Sequence, residues 1–404
     1  MHTLSPSDRT ADPHEPGSGR RILIGADTFP PNINGAARFA RDHAVRLARR
    51  GHTVHVVAPA SSTRASSGYE HFDDVTLFVH RLPSLRWPLH DWLRFVPPWE
   101  ARSLVRKVLN IAEPDVVHTQ SFLGIGRALA IESHSRGIPT VATNHIMPEN
   151  VLDYSGLPKA VQPALVRYGW NLAKSTYARV GAVTSPTPIA ASYLQQHTGL
   201  DRVEPISCGI DTQRFLPKSA KPARNSVLYV GRLDREKNLH TLLNSFAQLR
   251  NGHAATLNIV GHGSEREALE HRAQQLGIAA DVTFHGLVSD EDLVRLHHEA
   301  TVFVMPSAAE LQSLATLEAL ASATPAVVAN AMALPHLVSD GLEGYRAEVE
   351  NPTSFTVGIS RILEASAAEY QQHMRAALGR AAQHDSHHVV ARYEDLYDHA
   401  ANLI

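Results

Sequence analysis

A chain of 404 residues, 43% hydrophobic and 19% charged, has ordinary globular composition and the length of two domains at roughly 100 to 200 residues apiece. A net charge of -2 lacks the basic footprint of a nucleic-acid binder, so no nucleic-acid partner is expected. The single cysteine, Cys208, excludes an intrachain disulfide and fits a reducing compartment, and no apolar run approaches the roughly 20 residues of a membrane-spanning helix.

Residues 1–20, rich in Ser, Pro, Asp and Gly and without the apolar core of a signal peptide, are expected to form a disordered cytoplasmic extension. Residues 21–26 read as a buried strand, 27–35 as a loop, 36–50 as a helix closed by Gly51, and 53–58 as a second strand: a βαβ unit. No G-x-G-x-x-G follows the first strand and no acidic residue ends the second, where Ala58 and Pro59 stand, so the dinucleotide fingerprint is absent and hydride transfer loses most of its support. Gly35 either lets its loop approach a phosphate or sugar or simply starts the helix. Further strands at 75–80, 116–118, 140–143 and 180–184, alternating with helices, predict a parallel sheet.

Residues 81–107 hold three of the four tryptophans interleaved with positive charge, among them Arg86, Trp87, Trp92, Arg94 and Trp99. That mix suits contact with an anionic membrane surface, or an aromatic cap packed on its own domain. His145 follows the strand at 140–143 and is placed for a ligand cleft, although the chain holds 25 histidines. Between Glu204 and Ala223 the composition turns to Pro, Gly and Lys, and residues 206–223 are read as a linker between a first domain, 21–205, and a second, 224–386.

The second domain repeats strand, glycine turn and helix, with strands at 226–230, 257–260, 282–286, 302–305 and 326–329. After the first of these, Arg232 and Lys237 could neutralise a diphosphate, or form a solvated helix start. Asp290 and Asp292 form a D-x-D pattern, read as the acidic first turn of a helix capped by Ser289 rather than as a metal site. Cys208 has no cysteine partner for zinc and reads as a buried thiol. After the strand at 302–305, a turn carrying Glu310 leads into an Ala/Leu-rich helix from Ser313 that carries Glu318. Two acceptor-only groups thus flank the positive end of a helix, an arrangement suited to a hydroxyl-rich ligand bearing phosphate.

Glu310 with Glu318, Gly231-Arg232 with Lys237, Gly261-His262-Gly263, Gly209-Ile210-Asp211, Asp340-Gly341 and Phe29-Pro30-Pro31 with Gly35 resemble, in order, the retaining glycosyltransferases of the GT4 family. The resemblance covers residues 21 to about 365 and implies an α/β GT-B fold, two tandem Rossmann-like domains facing a cleft. It implies that Arg232 and Lys237 hold the donor diphosphate without a metal or other cofactor, and that Glu310 meets donor-sugar hydroxyls beside the backbone of Leu311, Gln312, Ser313 and Leu314. Glu318 would bind the ribose, Gly35 and Gly261 would approach the donor, and Gly286, Leu287 and Val288 would lie near the base. His145 would face sugar and acceptor, and residues 387–404 would form a helix crossing back to the first domain.

The loops at 145–150 and 331–336 are similar to those of bacterial members that glycosylate membrane lipids. This implies a hexose, mannose or glucose type, carried from a GDP- or UDP-sugar to a lipid acceptor, by a cytoplasmic enzyme peripheral on the inner face of the plasma membrane. A glycosyltransferase of small sugars or natural products, a nucleotide-sugar 2-epimerase, and a non-catalytic nucleotide-sugar binder are the alternatives. Three departures from the family pattern stand out: Gln312-Ser313 where Phe-Gly is common, Cys208 where Asn often precedes Gly209, and Ala323 in place of a glycine.

Overall fold

The computed structural model describes residues 19–32, 34–87, 94–149 and 160–402. The strands of the first half are β1 (Arg21–Gly25), β2 (Thr53–Pro59), β3 (Ser66–Phe72), β4 (Val75–Leu82), β5 (Leu85–Arg86), β6 (Arg94–Phe95), β7 (Val116–Thr119), β8 (Thr140–Thr143), β9 (Ala182–Ser185) and β10 (Glu204–Pro205). Those of the second are β11 (Ser226–Val230), β12 (Thr256–Val260), β13 (Val282–Gly286), β14 (Val302–Met305), β15 (Ala326–Ala329) and β16 (Gly344–Ala347).

Among the described residues the first sheet runs β10-β9-β8-β7-β1-β2-β4-β3 and the second β13-β12-β11-β14-β15-β16, with β5 and β6 a separate hairpin. Both sheets are parallel throughout except that β3 pairs antiparallel with β4. Every residue of β7, β8, β14 and β15 is buried, as helix-covered parallel strands require. This is the GT-B fold: two Rossmann-like units whose strands direct their carboxyl ends at a common cleft. The edge strands β3 and β16 have no counterpart in the sequence reading. Polar Ser66-Ser67-Gly68 and the short, half-exposed β16 lack the apolar run by which the central strands announce themselves.

Two stretches of chain pass between the sheets. The first leaves β10 and passes Gly209; the second, at 383–385, links the helix Ala367–Ala382 to the last helix, Ser386–Ala401. They run side by side: Ile210 N–H donates to His384 O at 2.9 Å, and Ser386 N–H to Ile210 O at 3.0 Å. Gly209 takes φ 76°, and a Cβ there would lie 3.2 Å from Ser386 Cα. Glycine is required at this crossing for both reasons.

The last helix packs on the first sheet. Val389, Val390, Tyr393, Leu396 and Tyr397 share a core with Ile22, Ile24 and Phe39. Beneath it lies a buried polar chain. The Tyr397 hydroxyl is hydrogen-bonded to His43 Nε2 at 2.7 Å and His118 Nδ1 at 2.8 Å, and His118 Nε2 to Thr143 Oγ1 at 2.7 Å. These bonds satisfy groups whose burial unpaired would each cost about 1–3 kcal/mol.

Burial pushes His43 down to about 3, with Arg46 and His145 adding to the effect, and pushes His118 well below its ordinary value. The unfolded chain, whose imidazoles titrate near 6.5, therefore binds protons first as pH falls. Stability is whole above that value and is lost as pH drops toward 3, on the order of 1 kcal/mol per buried imidazole per pH unit. Thermal unfolding followed by circular dichroism from pH 7.5 to 5 should show a falling Tm; a flat profile contradicts this account.

Candidate active site

The carboxyl ends of β11 and β14 supply the centre of the site. After β11 the chain makes one 3-10 turn, Arg235–Lys237, then a left-handed Asn238 that starts the helix Leu239–Leu249. The Arg232 guanidinium pairs with Asp234, and with Glu236 at 2.6 Å. Asp234 in turn accepts from Ser264 N–H at 3.2 Å. Gly261, at the end of β12, takes φ 134°, and a Cβ there would stand 1.8 Å from Gly231 O. The two glycines thus bring adjacent strand ends together behind Arg232.

Lys237 Nζ donates to Glu310 Oε1 at 2.7 Å, with both side chains only 12–13% exposed. Two motifs lying 73 residues apart in sequence meet here. Ser313 caps the helix Leu314–Ala321, its hydroxyl accepting from Thr316 N–H at 3.2 Å. Ala323 follows that helix at φ 56°, the left-handed region where glycine has no steric penalty, so alanine carries strain here.

Glu318, inside the helix, is 1% exposed. Its carboxylate pairs with Arg38, from the helix Gly35–Arg49 of the first unit, and lies 3.5 Å from His297 Nε2. Burial raises its affinity for a proton, but the Arg38 charge and the His297 contact outweigh this and hold it below the usual carboxylate range. The same contact raises the pKa of Arg38. Arg38 escaped the sequence reading because nothing in its helical spacing marks it apart from Arg41 or Arg46.

His145 leaves β8 toward this cleft. Its Nε2 is 2.9 Å from Gln120 Oε1, its ring packs 4.8 Å from that of Phe39, and Cys208 Sγ lies 3.9 Å from Nδ1. Burial lowers its pKa to about 3, which leaves the imidazole neutral at ordinary pH. Burial raises Cys208 to about 12, as expected of a protected thiol. Gln120, which orients His145, was also unforeseen.

The remaining sequence candidates surround this centre. Gly35 opens its helix, and a Cβ on it would lie 4.0 Å from Leu314 Cδ1. Thr187 Oγ1 donates to Leu311 O at 3.0 Å, and Leu311 packs on Met147 and Ala190 of the first unit. Gly286 takes φ 70°, its carbonyl accepting from Gly261 N–H at 2.8 Å; Leu287 is exposed and Val288 packs on the second core. Ser289 caps the helix Asp290–Glu299 as its pattern predicts. Among the described residues no three His, Cys, Asp or Glu side chains form a metal-holding group.

The basic aromatic stretch is divided. Trp99 is 75% exposed and Arg86 is exposed, while Trp87 stacks edge-on to Phe95 at 5.5 Å. Arg94, expected to face a membrane, instead donates to Ser84 Oγ at 2.8 Å and to Ser84 O at 2.7 Å, tying down the β5–β6 hairpin. Arg102 and Arg106 pair with Glu132. Trp92 lies outside the described residues. No described helix is long and apolar enough to cross a membrane.

The fold and this cleft are those of a glycosyltransferase. The sequence model described as "Glycosyltransferase Family 4" matches residues 33–214 and that described as "Glycosyl transferases group 1" matches 211–385. The chain belongs to the GT4 family. Similar curated proteins include an alpha-monoglucosyldiacylglycerol synthase of Streptococcus pneumoniae, 24% identical over 80% of this chain and 74% of its own. Others are a glycogen synthase of Mycobacterium tuberculosis (28%, 89% and 90%) and a GDP-mannose-dependent alpha-mannosyltransferase of Corynebacterium glutamicum (28%, 81% and 77%). A sucrose-phosphate synthase from Thermosynechococcus elongatus has the same fold, with a TM-score of 0.77 at 20% identity over 94% of this chain and 98% of that one.

Replacing Arg38 by alanine should leave Glu318 buried without its guanidinium partner and cost about 2–3 kcal/mol at pH 7, after allowing for the partial exposure of Arg38. The Glu318 pKa is lowered on folding, so this contribution is present above the ordinary carboxylate value and lost as pH falls through the folded one. Urea unfolding of wild type and Arg38→Ala should therefore differ at pH 7, and the difference should begin to shrink only once pH falls below the ordinary carboxylate value.

Proposed function

We propose that the protein is a retaining hexosyltransferase that carries mannose or glucose from a GDP- or UDP-sugar to the hydroxyl of a membrane glycolipid, without a metal. The observation that carries this reading is the Lys237–Glu310 contact at the amino end of the helix Leu314–Ala321. The contact supports a reading in which Lys237 is the cation for the diphosphate and Glu310 the carboxylate for sugar hydroxyls, with Arg232 at the adjoining strand end. Arg232 and Lys237, each paired with carboxylates in the ligand-free cleft, would turn to the departing diphosphate, and with the helix dipole they would offset its charge in place of a metal.

In this reading Glu318 binds the ribose and Gly286 to Val288 flank the base. Glu310 and the backbone of residues 311–314 hold the sugar, and His145 faces the reacting carbon as a neutral group. The acceptor oxygen attacks the anomeric carbon from the face the diphosphate leaves. The bond from that carbon to the phosphate oxygen breaks as the new glycosidic bond forms, and the acceptor proton passes to the departing phosphate. The anomeric configuration is thereby retained.

The lipid acceptor is supported by the likeness to an alpha-monoglucosyldiacylglycerol synthase and by exposed Trp99, Arg86 and Leu85 on the first unit. Peripheral attachment to the inner face of the plasma membrane would follow. A second reading, transfer to a soluble saccharide, is favoured by the glycogen synthase likeness, which extends over 89% of the chain.

Incubation with a panel of GDP- and UDP-hexoses and anionic vesicles containing glycolipid acceptors should yield a product whose anomeric proton retains the donor's configuration by NMR, with EDTA having no effect. Transfer to maltooligosaccharides alone would favour the second reading. Glu318→Gln should chiefly raise the donor KM, and Lys237→Ala should raise KM and lower kcat, together reducing kcat/KM at least tenfold. Steady-state kinetics with varied donor would check both, and unchanged parameters would remove these residues from the donor site.

A further inference from the structure

Two of the departures from the family pattern meet in space. Gln312, in the loop between Glu310 and the helix, reaches across to the first crossover, 104 to 105 residues earlier in sequence. Its Oε1 accepts from Cys208 N–H at 2.7 Å, and its Nε2 donates to Ser207 Oγ at 2.9 Å. Ser207 Oγ is also 2.9 Å from His384 Nδ1 on the second crossover. One side chain of the donor loop is therefore bonded to two adjacent residues of the first crossover and, through Ser207, linked to the second. One bond at each of the amide's two polar atoms fixes the side chain's orientation toward the crossover.

The contact also reaches the other side of the cleft. Cys208, whose amide Gln312 holds, places its sulfur 3.9 Å from His145 Nδ1. Leu311, next to Gln312, is held by Thr187 of the first unit. Movement of one unit against the other must strain or break these bonds, because their partners sit on the segments about which such movement occurs.

We propose that Gln312 is a positioning residue: it clasps the Glu310 loop to the paired crossovers, so that the donor-sugar pocket and His145 are set together only when the two units stand in this mutual arrangement. The inference rests on the placement of the donor sugar over residues 310–314. It assigns the Phe-Gly to Gln-Ser change a role in coupling the pocket to domain position.

Cys208 is the only cysteine in the chain, so its alkylation by iodoacetamide reads the clasp directly and independently of turnover. Gln312→Leu removes both bonds and should speed Cys208 alkylation about tenfold in the folded protein. In the same variant kcat should fall about tenfold or more, as misplacement of a reacting group by a fraction of an ångström does, while the Kd of the nucleoside diphosphate stays unchanged. Ser207→Ala severs the clasp from its other end and should act in the same direction, with the double variant less than additive.

Wild-type turnover and alkylation in Gln312→Leu and Ser207→Ala would overturn the clasp. Faster alkylation with unchanged kcat would overturn the positioning role. Wild-type protein that neither binds a nucleoside diphosphate nor transfers sugar would instead overturn the donor-site reading on which the proposal stands.

Discussion

A carboxylate with one per cent of its surface exposed cannot remain ionised without a cation against it, and Glu318 finds that cation on the other domain. The rest of the cleft is arranged around this requirement. Arg38 is one turn into the first helix of its unit, so the pairing holds the amino end of that helix, with Gly35, over the amino end of the helix that carries Glu318. Two helix starts and the carboxyl ends of two parallel sheets are thereby gathered at one place, where anionic ligands of open α/β sheets bind. The Arg38 charge also covers the carboxylate proposed to hold the ribose, so donor binding and the pairing draw on the same group.

The second organising feature is the pair of crossovers. Without the last helix, the first sheet would lose the cover of Tyr393, Tyr397 and Val389, and the imidazoles of His43 and His118 would lose the hydroxyl between them. That helix is covalently continuous with the second unit, so a core contact of one domain becomes a tether of the other. The histidines are kept neutral by burial, which makes the tether sensitive to acid. His145 is neutral for the same reason, in keeping with a group that faces a developing positive centre without adding charge to it.

The residues of the candidate site divide by the distance over which their placement is encoded. The strand ends, Arg232 and Lys237 after β11, Glu310 and Glu318 around a capped helix start, and the Ser289 cap were all legible, since strand length, turn chemistry and helix caps are written within windows of about ten residues. The edge strands β3 and β16 were not, being half exposed and polar. The aromatic stretch was read by composition alone, and composition did not distinguish Arg94, drawn onto Ser84, from exposed Trp99.

Taken alone, the sequence determined the two series of strand, turn and helix, the residues that end each strand, and through them the fold and the class of chemistry. Only the tertiary structure decided the partners: Arg38 for Glu318, Gln120 for His145, and Ser207 and Cys208 for Gln312. The physical reason is that local structure follows from backbone period and neighbouring side chains. Which charge or amide meets which across the cleft depends instead on how two separately encoded units are set against each other, and no short stretch of chain carries that arrangement.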